Sequence, residues 1–208
     1  LERQWDASLI RTATDLGCME MLRFGTTSFN DMYFHTDVIA TAVQQNGMRA
    51  LLGHGIVDFD ESCKDMVEGV EMAEKWHHAA DDRIRFSLAP HSEGATTEVL
   101  LRKVAETARR MGLVVHTHVS ETDFDLQGSL KRRGLTPPAY LEKLGLLEGP
   151  VIAAHCVWFN DEDIAIFKKH GATVAHNPIS NLKLASGVAP IAKMLKSGVN
   201  VALGTDGV

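Results

Sequence analysis

The sequence predicts an α/β fold in which parallel strands alternate with helices around a barrel. Three observations carry this prediction. Short apolar runs alternate with amphipathic stretches of about a dozen residues, as crossover connections between parallel strands require. The runs are near-continuously apolar, as strands covered on both faces are. No G-x-G-x-x-G turn follows the first run, which argues against the alternative, an open doubly wound sheet.

Taken in order, a long helix is expected over 4–24, then strands over 26–32, 49–55, 84–91, 113–121, 151–158, 172–177 and 200–206. Helices are expected over 37–45, 61–80, 96–111 and 161–170. In 96–111, Val99, Leu100, Lys103, Val104 and Ala108 follow helical spacing, with the apolar members on one stripe. Asn160, with Asp163 three positions on, offers an N-cap for 161–170. Pro190 and Gly198 bracket a helix over 191–197. Pro137-Pro138 marks a turn or a helix start and no domain boundary, because no low-complexity linker surrounds it. Seven strands are one short of a (β/α)₈ TIM barrel.

Composition narrows the function classes. The 208 residues suffice for one domain, and 45% of them are hydrophobic. A formal charge of -6 disfavours nucleic acid, which needs clustered Lys and Arg. Lys131-Arg132-Arg133 and Arg109-Arg110 read as solvated helix ends. Three cysteines without C-x-x-C spacing indicate neither a disulfide framework nor a zinc knuckle, and fit a reducing, cytoplasmic compartment. No apolar run reaches the roughly 18 residues of a membrane span. The chain opens Leu1-Glu2-Arg3 and stops just after a strand-like run, so it reads as a segment of a longer protein.

In a barrel, chemistry belongs at the C-terminal ends of the strands. There the sequence places Ala89-Pro90-His91, His118-Val119-Ser120-Glu121, Ala153-Ala154-His155, His176-Asn177-Pro178 and Gly204-Thr205-Asp206. Imidazole nitrogens and a carboxylate oxygen suit Zn²⁺ or Fe²⁺. His116 and His118 share one face of their strand, with His118 about 7 Å nearer the mouth. Glu121 lies just past that strand, suited to general acid and base work or to capping the next helix.

These motifs, with Asp31-Met32-Tyr33-Phe34-His35, Ala154-His155-Cys156 and the run from His176 through Asn177-Pro178-Ile179-Ser180-Asn181 to Gly187, resemble the amidohydrolase superfamily. Within it they are most similar to the 5-methylthioadenosine/S-adenosylhomocysteine deaminase and chlorohydrolase group. The resemblance implies one divalent metal ion, zinc or iron, held by His118 and Asp206. It implies that Glu121 shuttles the proton, that His155 polarises the attacking water, and that Asp206 also orients it. His91, Glu2, Glu121, His54 and Asn177 are assigned to substrate contact. It further implies that residues 1–208 are an incomplete barrel, strands two to eight. The His-x-His of strand one, which supplies two more ligands, and a terminal β-sandwich would then lie outside it.

Two departures bear on the chemistry. Strand four ends Ser87-Leu88-Ala89-Pro90-His91, without the lysine that a binuclear site bridges through, which favours one metal. Deaminases of S-adenosylhomocysteine are expected to carry arginine where His54 stands, and no arginine occurs between Arg49 and Arg83. The expected reaction is therefore hydrolytic deamination of an aminopurine nucleoside such as 5-methylthioadenosine. The rivals are a triazine chlorohydrolase and, from another class, a non-catalytic barrel used as a binding subunit. The expected partner is a small molecule, an aminopurine nucleoside or an aminotriazine, with neither nucleic acid nor membrane. A homo-oligomer is compatible with this reading.

Overall fold

The computed structural model describes residues 5–58 and 63–207. They form two compact units, the first of Leu1–Ile56 with Lys64–Ala89 and the second of Val57–Cys63 with Pro90–Val208.

In the first unit, α1 (Ala7–Arg23) leads into β1 (Ser28–Tyr33), α2 (Thr36–Asn46), β2 (Arg49–Ile56), α3 (Lys64–Trp76), α4 (Ala79–Asp82) and β3 (Ile84–Pro90), the last residue of which falls in the second unit. The strands lie in chain order, and β1 and β2 pair in parallel from Ser28 opposite Arg49 to Tyr33 opposite His54. Helix α2 buries Ile39, Ala40 and Val43, while Leu52, Ile56, Phe86 and Leu88 are fully buried on the strands. Each such side chain contributes about 1.5–3 kcal/mol through removal from water. Gly53 is required by close approach, because a Cβ there would meet Ser87 Oγ at 2.6 Å and Ala89 Cβ at 2.8 Å.

The single helix expected over 61–80 ends early, at Trp76. Beyond it His78, Ala80, Asp81 and Asp82 take left-handed backbone. The chain is tied to β3 here: His78 N–H bonds the Ile84 carbonyl at 2.9 Å, and Phe86 N–H bonds His77 Nδ1 at 2.9 Å. These tertiary bonds override helical propensity.

The second unit contains α5 (Glu98–Met111), β4 (Val114–Val119), α6 (Asp123–Arg133), α7 (Pro137–Lys143), a 3-10 turn (Leu146–Glu148), β5 (Val151–His155), α8 (Asp161–His170), β6 (Thr173–His176), α9 (Pro178–Lys183), α10 (Ile191–Ser197) and β7 (Asn200–Leu203). Strands β4 to β7 are parallel and in chain order. The buried stripe of α5 is Leu100, Leu101, Val104, Ala105 and Ala108, whereas Val99, expected on it, is 45% exposed. Leu101, Val104, Ala105 and Ala108 stand at i, i+3, i+4 and i+7, a row that Val99 does not share.

Helix ends follow side-chain chemistry. Asn160 and Asp163 form the reciprocal capping box expected at α8, and Thr122 with Asp125 forms another at α6. Pro137 starts α7 at its first turn. Among the described residues no helix is long and apolar enough to cross a membrane.

Candidate active site

Strand β4 presents His116 and His118 on one face, two residues apart. His116 is buried, and burial with the two nearby imidazoles of His118 and His155 pulls its pKa down to about 3. His118 stands nearer the strand end. Its Nδ1 lies 2.7 Å from the His91 carbonyl oxygen, which also receives the His118 backbone N–H at 2.9 Å. A carbonyl only accepts, so Nδ1 carries the proton and Nε2 keeps its lone pair. Burial, then the neighbouring His91, brings the His118 pKa to about 4, so the ring is neutral near pH 7. The rings of His91, His118 and His155 lie near-parallel, with centroids 4.5 Å and 5.3 Å apart.

His155 closes β5 and is 1% exposed. Its Nδ1 lies 2.8 Å from Asn181 Oδ1. Its Nε2 lies 3.7 Å from Glu121 Oε2 and 3.7 Å from Asp206 Oδ2, so one imidazole nitrogen faces two carboxylates. Ser180 Oγ donates to Asp206 Oδ2 at 2.5 Å, and Gly207 N–H donates to Oδ1 at 2.7 Å. Burial alone would raise the Asp206 pKa, but those two bonds and the imidazoles of His155 and His118 outweigh it and hold the carboxyl below its ordinary value. Ser186 Oγ donates to Glu121 Oε1 at 3.4 Å. The cap of α6 is Thr122, which leaves the Glu121 carboxylate for the site.

The backbone is unusual at these strand ends. Ser120, His155, Cys156 and Asp206 all have positive φ, between 48° and 72°. Non-glycine residues in left-handed backbone store strain, and such residues gather at functional sites.

The second unit thus brings together His91, His118, Glu121, His155 and Asp206. Asn177 is buried at the start of α9, its Oδ1 pressed against Gly204, where a side chain would collide with it. His54 lies in the first unit, 8% exposed, with Nδ1 3.3 Å from Thr36 Oγ1 and Nε2 3.5 Å from Glu68 Oε2. Glu2 lies outside the described residues. Three polar residues that the sequence reading did not single out, Ser180, Asn181 and Ser186, bond Asp206, His155 and Glu121. All three lie inside the run from His176 to Gly187, but polar residues in a short helix and the loop after it show no periodicity.

His118 Nε2 and the Asp206 carboxylate have the donor chemistry of a divalent metal site, a neutral imidazole and a charged carboxylate oriented by a hydrogen bond to each of its oxygens. Among the described residues no group of three or more His, Cys, Asp or Glu is arranged to hold an ion. Two donors fit the group but do not complete it.

The amidohydrolase family matches residues 5–208. The chain is 46% identical over 195 residues to a 5'-deoxyadenosine deaminase of Methanothermobacter thermautotrophicus, covering 92% of this chain and 46% of that protein. It is 48% identical over 193 residues to a 5-methylthioadenosine/S-adenosylhomocysteine deaminase of Moorella thermoacetica, covering 92% and 45%. The crystal structure of an adenosine deaminase from Xanthomonas campestris with bound zinc superposes with a TM-score of 0.90 at 33% identity, over 98% of this chain and 47% of that one. The chain spans about half the length of the curated relatives it matches. The expected fold class, part of a (β/α)₈ barrel, is the fold found.

Proposed function

This chain belongs to the amidohydrolase family, and from that premise we propose that it serves a metal-dependent hydrolytic deaminase of adenosine-like nucleosides. The observation that carries the reading is His155 Nε2 facing both Glu121 and Asp206 at 3.7 Å. A general acid and base, a polarising imidazole and an anionic ligand meet at one point.

His118 and Asp206 would hold the ion, and the zinc bound in the similar adenosine deaminase supports zinc rather than iron. When bound, a divalent ion lowers the pKa of water towards about 7 and so supplies hydroxide at neutral pH. Glu121 then takes the proton of the attacking water on its carboxylate and gives it to the ring nitrogen beside the amino-bearing carbon. His155 Nε2, buried and fixed, hydrogen-bonds the attacking oxygen and directs it at that carbon. Glu121 then passes the remaining hydroxyl proton of the tetrahedral adduct to the amine, the C–N bond breaks, and C–NH₂ and water have become C=O and ammonia. His91, stacked on His118, and Asn177 are assigned to substrate contact.

The relatives named for 5'-deoxyadenosine support an uncharged 5' substituent, while the one named for both 5-methylthioadenosine and S-adenosylhomocysteine is compatible with either. The sequence also supports an uncharged substituent, because His54 takes the place of the arginine that the resemblance expects for a carboxylate, and His54 is engaged by Thr36 and Glu68. Three buried thiols, Cys18, Cys63 and Cys156, support a cytoplasmic location.

The test is ammonia release by the full-length zinc-loaded protein. 5'-Deoxyadenosine and 5-methylthioadenosine should be deaminated with higher kcat/KM than S-adenosylhomocysteine. Chloride from a chlorotriazine, with no ammonia from any nucleoside, would overturn the reading in favour of a chlorohydrolase.

A further inference from the structure

Glu121, His155 and Asp206 come from the ends of three different strands, yet one stretch of seven residues supplies a side-chain hydrogen-bond partner to each. Ser180 Oγ bonds Asp206, Asn181 Oδ1 bonds His155 Nδ1, and Ser186 Oγ bonds Glu121. We propose that residues 180–186 are a positioning strap for the reacting groups and that Asn181 fixes the ring of His155 from behind. This rests on the deaminase reading above.

The strap is stiff for identifiable reasons. Leu184 N–H bonds the Ser180 carbonyl at 2.9 Å, and the Asn181 carbonyl receives Ser186 N–H at 2.8 Å and Gly187 N–H at 3.4 Å. Trp158 Nε1–H donates to the Ser186 carbonyl at 2.9 Å, pinning the far end. Gly187, with φ of +128°, lets the chain turn where any Cβ would lie 2.9 Å from Val157 Cγ1. Ser180, Asn181 and Ser186 therefore hold their three targets in a fixed mutual arrangement.

Asn181 is the decisive member. An imidazole anchored only through Nε2 can still turn about its Cβ–Cγ bond; a second bond at Nδ1 fixes the plane. Asn181 and His155 are each 1% exposed, so water has no route to replace the lost partner. With Asn181 Oδ1 accepting the Nδ1 proton, Nε2 is the atom presented to Glu121 and Asp206. Asn181 Nδ2 finds no hydrogen-bond partner among the described residues, so the buried amide is retained at a cost that packing alone would remove.

The experiment compares Asn181→Leu, His155→Ala and the double variant in the full-length zinc-loaded protein. Asn181→Leu should lower kcat for 5'-deoxyadenosine about 10- to 100-fold, as loss of an orienting partner does, with KM within about twofold and zinc content unchanged. In the His155→Ala background the same change should have no further effect, because Asn181 acts through that ring. A hydrogen-bonded Nδ1 proton resonance of His155 should be present in the zinc-free protein and absent in Asn181→Leu. Additive losses, zinc lost in parallel with activity, or an unchanged kcat would overturn the proposal. Should Asn181→Leu fail to fold, Ser186→Ala replaces it. That variant should lower kcat several-fold alone and not at all in the Glu121→Gln background, and additivity there would equally overturn it. If the wild-type protein released no ammonia from any nucleoside, the deaminase reading would fall, while the resonance would still report whether Asn181 orients His155.

Discussion

The Nδ1 of His118 lies 2.7 Å from the backbone carbonyl oxygen of His91, and this one bond decides which nitrogen of His118 faces outward to an ion. A loop carbonyl thus sets the tautomer that a ligand must have.

Replacement of His118 by alanine should therefore abolish metal binding while leaving the fold intact. Elemental analysis after dialysis would show less than about a tenth of the wild-type zinc if His118 supplies one of few ligands. Full retention would remove His118 from the site.

Glu121→Gln keeps the size and the hydrogen bond from Ser186 but cannot carry a proton. Turnover should fall about 10²- to 10⁴-fold, with zinc content unchanged. Turnover within a few-fold of wild type would show that another group moves the proton.

The next residue behaves differently. Thr122 caps α6 in a reciprocal box with Asp125, and Thr122→Ala should cost about 1 kcal/mol of stability. Urea unfolding measures this, and kcat should be almost unaffected. Adjacent positions thus separate chemistry from scaffold.

Acid should weaken the metal-free protein through β4. His116 and His118 have folded pKa values of about 3 and about 4, below the unfolded value of 6.5. Between these limits the unfolded chain binds more protons, so stability is complete above pH 6.5 and declines as pH falls towards 3. Urea unfolding at pH 7, 5 and 4 should show that decline, and His116→Gln should flatten it. A slope unchanged in that variant would show that His116 is not the source.

Much of this was legible beforehand because its signals are local. The seven strands announce themselves as apolar runs, the cap of α8 as Asn160 and Asp163, and the polar residues of the mouth as the ends of those runs. What was not legible depends on tertiary contacts. The break after Trp76 comes from bonds to β3, and the exposure of Val99 from the choice between two overlapping helical rows. The two roles left open for Glu121 were separated only when Thr122 proved to be the cap. Asn181 lay inside the His176 to Gly187 run but its role was not legible, because its side-chain partner, His155, is 26 residues away in sequence.

The left-handed backbone at the strand ends bears on engineering. Ser120 has φ of 48°, and its buried hydroxyl finds no hydrogen-bond partner among the described residues. Left-handed geometry costs a non-glycine residue roughly 1–2 kcal/mol, and an orphaned buried polar group about 1–3 kcal/mol. Ser120→Gly removes both at a backbone-entropy cost of about 0.5–1 kcal/mol, so it should raise the melting temperature by several degrees. Thermal resistance is thus held in reserve one residue from Glu121, within reach of a single codon change.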